Sequence, residues 1–364
     1  MSSKLPYLQT KPYQILIHKD TYQKAYKYLT DLATNKVEPG RYFSSHLDDR
    51  YLTTIEFLEK LINTKRPQIF AESAIVGDGS DWNLTELSLL GDIAIAVPVT
   101  VYDNGRHHHP DIHDEPFEAT LLYVPGALLR NGRSYTPADW DEVVIDGQID
   151  AEAFYQLYER RLLPSFLYAN ETAVSHNKQA FITIPGLGCG QFAGKFQGQL
   201  GEELKDMLAI FLKKHHSQFP NINTIYYDPY QECDNERLEF GHLSLMVRPL
   251  TKGNQNKPQL CQPITYEEDG DDFSNCVLFS FVAWDHVSWP GNDFYIGSRA
   301  TDDGVKAAAT NSMAAMTGAE GMYSTRTYQY QPPWGYKNWN DVIQKHQIQL
   351  NLGQDNLYIS PQSD

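Results

Sequence analysis

The chain has 364 residues, 41% hydrophobic and 21% charged, which is the balance of a soluble globular protein and excludes a disordered one. Thirty basic against 46 acidic residues give a net charge of −16. That charge repels a phosphate backbone and excludes nucleic acid as a partner, so a phosphorylated ligand would have to be met by local backbone N–H groups. The apolar run broken by Asp92 falls far short of the roughly 18 residues of a membrane span, and no membrane partner is expected. The opening "MSSKLPYLQTKPY" lacks the apolar core of a Sec-type signal. Cys189, Cys233, Cys261 and Cys276 show no CxxC spacing, so neither a zinc site nor a disulfide framework is indicated and a reducing compartment is the simplest expectation.

In chain order, the first 65 residues read as mostly helical. Tyr22, Ala25, Tyr26 and Leu29 lie at helical spacing in Asp20 to Ala33, as do Ile55, Leu58, Leu61 and Ile62 in Leu52 to Ile62. Strands come next at 91–101, 119–124, 181–184, 224–227, 243–247 and 277–283. Helices fall between some of them: Ala151 to Leu163, capped by Asp150; Glu202 to His216, with Leu204, Met207, Leu208 and Phe211 on one face; and an alanine-rich segment from about Asp303 to Thr317. Strands alternating with helices predict an α/β sandwich with a mixed sheet. The expected organisation is a helical N-terminal extension over 1–65 and a single domain over 66–364.

Two stretches carry the chemistry. "ITIPGLGCGQFAGKF" (182–196) places Gly186, Gly188, Gly190 and Gly194 directly after a strand and ahead of helix-forming sequence. A strand, a bare-backbone turn and a helix N-terminus make an anion site, because successive N–H groups point inward and the helix dipole adds positive potential. The spacing is neither the Rossmann fingerprint nor a P-loop, and a plain β–α turn without a ligand is the competing reading. The second stretch, 279–313, carries Asp285 directly after a strand, Asp293 after the turn Trp289-Pro290-Gly291-Asn292, and Asp303 at a helix start with Thr301 or Asp302 as its cap. Carboxylates gathered by loops at a sheet end can stabilise an oxocarbenium-like state, orient ribose hydroxyls, activate water and hold a guanidinium. A helix N-terminus is expected to keep Asp303 ionised. The competing reading is a helix cap and a closed turn.

"GLGCGQFAG" resembles the diphosphate-binding loop of macrodomains and of poly(ADP-ribose) glycohydrolases. The order strand–Asp–x7–Asp–x9–Asp ahead of an alanine-rich helix resembles the macrodomain-like ADP-ribosylhydrolases of the MavL type. The resemblance spans roughly residues 71–323 and implies a three-layer α/β/α macrodomain-like fold. It implies that Gly188, Cys189, Gly190, Gln191, Phe192 and Ala193 line the diphosphate and proximal ribose of ADP-ribose, with Phe192 on a ribose face. It also implies that Asp285, Asp293 and Asp303 are catalytic. The implied reaction releases ADP-ribose from an arginine of a modified protein, ubiquitin in particular. The implied setting is a secreted bacterial effector acting in host cytosol; without the resemblance the cytoplasm is expected. No Gln-Glu-Glu triplet of the polymer-degrading enzymes is found, so release of a single ADP-ribose is the better expectation. A binding module that reads ADP-ribose without cleaving it is the alternative.

No metal or cofactor is assigned. "RHHHPDIHDE" (106–115) alternates His107, His109, Asp111 and His113, a set suited to a transition metal, but Pro110 and the polar flanks read as an exposed rim loop. Acidic residues opening a small-residue helix also occur in all-helical dinuclear magnesium ADP-ribosylhydrolases, a fold that the strands here oppose; magnesium dependence is kept as the mechanistic runner-up. Asp228 and Tyr230 in "YYDPY" are weaker candidates for adenine or ribose contacts.

Overall fold

The central strands are buried at nearly every position, so both faces are apolar and the sheet has to be covered on both sides. The computed structural model describes residues 13–47, 52–71, 80–350 and 356–361. Its main sheet is built from β1 (Gln14–His18), β2 (Ile93–Asp103), β3 (Ile112–Pro125), β4 (Gln179–Pro185), β5 (Ile222–Asp228), β6 (Glu236–Phe240), β7 (Leu243–Val247), β8 (Cys276–Trp284) and β9 (Leu357–Ser360). The order across the sheet is β9-β1-β2-β3-β8-β4-β5-β7-β6. The central run β3-β8-β4-β5-β7 is parallel, while β2 pairs antiparallel with both β1 and β3 and β6 pairs antiparallel with β7.

On one face lie α4 (Ala151–Ser175) and α5 (Leu200–His215), whose Phe166, Ala169, Leu208 and Phe211 share a core with Leu122, Ile182, Ile225 and Phe281 of the sheet. On the other lie α1 (Lys19–Ala33), α2 (Thr54–Ile62), α3 (Leu84–Gly91) and α6 (Asp302–Ala309). There Tyr28, Phe57, Leu89 and Ala308 pack with Ile95, Leu121, Val282 and Trp284. This is the mixed-sheet α/β/α sandwich that the alternation of elements predicts. The helices start where their sequences supply caps. Thr53 and Glu56 close a capping box on α2, Asn83 and Glu86 another on α3, and Asp150 caps α4 through the Ala153 N–H at 2.8 Å.

Three local expectations are corrected. The region before residue 65 is not helices alone: β1 pairs with β2 and β9 inside the main sheet. Leu16 faces the α4 side and Ile15 and Ile17 the other, too short an alternation to register as a strand pattern. Helix α4 does not stop ahead of Pro164 but runs on to Ser175, because Phe166, Ala169 and Ala173 bury against the sheet and outweigh the lost hydrogen bond. The alanine-rich segment is two helices, 302–309 and 312–317. Thr310 is extended and bridges to Val101 of β2, while the Asn311 side chain accepts the Thr100 N–H at 2.8 Å.

Because β1 feeds both layers, Leu16→Ala is expected to cost about 2–5 kcal/mol of folding stability, read as a lowered midpoint in urea unfolding. A change under about 0.5 kcal/mol, ordinary for surface positions, would show that β1 is peripheral to the core.

Candidate functional site

Neighbouring parallel strands β3, β8 and β4 end at one edge: Trp284 stands in register with Pro125, and Ser280 with Thr183. The chain leaves them as Gly126, Asp285 and Gly186, at the carboxyl ends where open α/β sheets hold their ligands. A cleft of about 540 Å³ opens there, within the roughly 300–1,000 Å³ usual for small-molecule sites. The glycine loop forms one wall through Gly186, Gly188, Gly190, Gln191 and Phe192, and Asp285, Thr301, Asp302 and Asp303 form the other, with Phe70, Trp284 and Asn292 between them. A larger hollow of about 960 Å³ lies between α2 and residues 343–350; none of the glycine-loop or aspartate residues lines it.

The glycine wall is bare for a steric reason. A Cβ at Gly126 would fall 2.1 Å from the Gly188 amide nitrogen, and Gly188 itself has φ of +75°. Two backbones therefore touch where any side chain would separate them. Among the described residues, no acceptor takes the amides of Gly190, Gln191 or Phe192, so these N–H groups are free for an anion. The loop does not lead directly into the expected helix N-terminus. A six-residue 3₁₀ segment, Gln191–Phe196, intervenes, and the Gly201 amide of α5 is already taken by Glu232 at 2.7 Å. Cys189 and Ala193 are buried and do not line the cleft; the Ala193 amide closes onto the Gly190 carbonyl at 3.1 Å. Burial pushes the Cys189 thiol far up. The Phe192 ring lies 5.7 Å from that of His286, and Arg130 donates to the Gln191 side-chain oxygen on the outside of the loop.

The aspartates separate into different roles. Asp285 accepts the Ala71 amide at 2.6 Å and the Val287 amide at 2.9 Å. Asp303 accepts the Gly291 amide at 2.7 Å through Oδ1, while its Oδ2 is buried with no partner among the described residues. The Asp303 carboxyl is pushed well above the usual range, by burial first; the Gly291 N–H opposes this and Asp293, Asp302 and Asp285 add to it. The expectation that the helix start keeps it ionised is thus overturned, because burial among like charges outweighs the dipole. Asp293 lies beneath the wall, accepting the amides of Ala300 at 3.0 Å and Thr301 at 3.4 Å together with the Thr301 hydroxyl. Thr301 is the cap of α6, accepting the Gly304 amide at 3.0 Å. Asp302, read from the sequence only as a possible cap, lines the cleft.

Groups far away in sequence complete the site. Lys65, fully enclosed behind the aspartate loop, donates to the His286 carbonyl and sits 4.0 Å over the Trp284 ring. Burial pulls its ammonium down to about 7, with Asp285 opposing. Beneath the floor, Arg161 bridges Asp92 at 3.2 Å and Asp139 at 2.7 Å, and donates to the Gly126 carbonyl at 3.0 Å. Asp139 also takes the Leu128 amide at 2.7 Å and faces His286 Nε2 at 3.2 Å. Burial works to raise Asp139, and Arg161 with His286 overcomes it, holding the carboxyl well below the usual range. Neither residue lines the cleft itself, Lys65 bordering the larger hollow instead, and no local pattern marks either as a support of it.

The other candidates do not line the cleft, although His107 on the rim loop feels the charge of Asp302. His107, His108 and His109 are exposed, and His113 faces the Leu260 carbonyl at 2.8 Å. Among the described residues no three metal-ligating side chains gather as a metal site. Asp228 spends one oxygen on the Tyr230 and Leu250 amides, both at 2.8 Å, and Tyr230 is exposed; neither lines the cleft. No helix among the described residues is long and apolar enough to cross a membrane.

Comparison with known families fits this geometry. The family model described as macrodomain effector MavL matches residues 13–336, so the chain belongs to that family, whose function is ADP-ribose-related. No curated protein matches the chain.

The buried charges generate two measurements. Arg161→Met leaves the buried Asp139 without its guanidinium, while Asp92 keeps Arg160 and Lys24, and is expected to cost about 3–5 kcal/mol, read by urea unfolding; a loss below about 1 kcal/mol would deny the network its structural role. For Asp303, the folded chain holds a proton that the unfolded chain releases above about pH 4, so wild-type stability falls as pH rises towards the raised native value. Asp303→Asn lacks that loss and should gain progressively on wild type from about pH 4 upward. A gap that stays constant between pH 4 and pH 7 would refute the protonated carboxyl.

Proposed function

We propose that this macrodomain effector is a hydrolase that releases a single ADP-ribose from an arginine of a modified protein, with ubiquitin as the substrate protein. The observation that carries the reading is the sharing of one cleft by unoccupied glycine-loop amides and by the carboxyls of Asp285, Asp302 and Asp303. The amides of Gly190, Gln191 and Phe192 hydrogen-bond the diphosphate, which a chain of net charge −16 could not attract by its overall field. Phe192 packs on a ribose face. The distal ribose then lies towards the acidic wall, where an oxocarbenium-like state at its anomeric carbon is stabilised by negative charge.

The guanidinium leaves as a neutral guanidine when the C–N bond breaks and then takes up a proton, for which Asp303, pushed by burial towards its neutral form, is the source. Asp285, fixed by two backbone amides, orients ribose hydroxyls or the guanidinium. Asp293 serves the reaction by fastening the 300–301 turn that carries the rest of the wall. A module that only reads ADP-ribose has no use for three carboxyls beside an anionic ligand, which favours the hydrolase. The reaction is proposed to need no metal.

The test is release of free ADP-ribose from arginine-linked ADP-ribosylated ubiquitin. Wild type is expected to turn over, and Asp303→Ala to lose at least about 100-fold in kcat. Prior dialysis against a chelator is expected to leave the rate unchanged; a loss restored by magnesium would move the reaction to metal assistance. Tight binding of ADP-ribose without release would establish the reader instead.

A further inference from the structure

We propose that Asp302 is the carboxylate that takes the proton of the attacking water, and that Lys306 is its positioning residue. The inference rests on the hydrolase reading and deepens it. The cleft presents three carboxyls with different surroundings. Asp285 has each oxygen tied to a backbone amide. Asp303 has one oxygen on the Gly291 amide and the other buried and unpartnered, the state of a group that gives a proton. Asp302 is charge-paired: Lys306 Nζ lies 3.1 Å from its carboxylate and the Ala283 amide 2.8 Å from Oδ2. Its side chain is 23% exposed against 2% for Lys306, so water reaches the acid and not the ammonium.

Lys306 is placed by geometry that leaves it no other task. It stands one helical turn beyond Asp302 on α6 and is enclosed by the sheet. It donates to the Phe281 carbonyl, to Gln259 Oε1 at 2.8 Å and to Asp302, which uses the three protons of an ammonium. Burial draws its pKa below the ordinary lysine value and Asp302 opposes that shift. The pair therefore holds the Asp302 carboxylate, which lines the cleft, in a fixed orientation. The charged or titratable groups that feel Asp302 are Lys306 and Asp303 on its own helix, His107 on the rim loop and Tyr123 of β3, while Asp285 and Asp293 act on Asp303.

The step balances. Water oxygen bonds to the anomeric carbon as the carbon–nitrogen bond breaks, and that bond's electron pair leaves with the guanidine nitrogen. Asp302 takes the water proton and Asp303 gives its proton to the nitrogen. The two carboxyls then return to their starting states by exchange with solvent.

Kinetics on arginine-linked ADP-ribosylated ubiquitin and binding of free ADP-ribose test this together. Asp302→Asn is expected to lower kcat at least about 100-fold while the ADP-ribose Kd stays within about threefold. Lys306→Met is expected to lower kcat at least about tenfold with the ADP-ribose Kd within about threefold, and Lys306→Arg to restore it; a purely structural lysine would lower the unfolding midpoint and leave kcat per folded molecule unchanged. If wild type turns over and Asp302→Asn keeps its rate within threefold, the assignment of Asp302 falls alone. Loss of ADP-ribose binding in Asp302→Asn also overturns it, making the residue a ligand contact. A wild-type chain that releases nothing overturns the hydrolase reading and this inference with it.

Discussion

The cleft depends on a charge that is never exposed. Arg161, on a helix covering the far face of the sheet, is fully buried between Asp92 and Asp139, and through Asp139 the ion pair reaches His286. These contacts pin the turn after β3 and the turn after β8 to one point. Gly126 is held against Gly188, and the residue after Asp285 is fixed under the Phe192 ring. A buried ion pair is a weak source of stability, since desolvation offsets most of its attraction. Its effect here is geometric: it leaves the two turns one arrangement relative to each other.

A second lace comes from the segment joining α2 to the rest of the chain. The Arg66 amide pairs with the Val287 carbonyl at 2.8 Å, Ile69 exchanges hydrogen bonds with the Asn292 side chain, and Ala71 donates to Asp285. Residues 65–71 thus run along the aspartate loop as a partial strand, with the Lys65 ammonium enclosed behind it. The N-terminal helices are continuous with the site through this segment, and β1 at their start lies in the same sheet as the strands that deliver the acids.

The electrostatics of the cleft arise from burial more than from helix dipoles. Desolvation penalises a carboxylate unless a cation or several N–H donors face it. Asp92 is held at about 2 because Lys24, Arg160 and Arg161 overcome its burial. Asp303, with one amide and three acidic neighbours, has no such counterweight. Burial thereby favours the neutral form at Asp303, the condition under which a carboxyl can give a proton.

Local sequence determined the elements and the types of residue at the cleft. Period-two and period-3.6 patterns placed the central strands and most helices, and the glycine cluster and the Asp285–Asp303 spacing pointed to the two walls, because these are properties of neighbouring residues. Only the tertiary structure decided which of those residues face inward. Cys189 and Ala193 turn into the core, Asp293 passes beneath the wall, and Asp302 comes forward. Lys65, Arg161 and Lys306 are fixed by backbone carbonyls of residues 25 to 221 positions away. Side-chain direction at a loop and charge pairing through the core depend on where distant strands end, and no window along the chain contains that information.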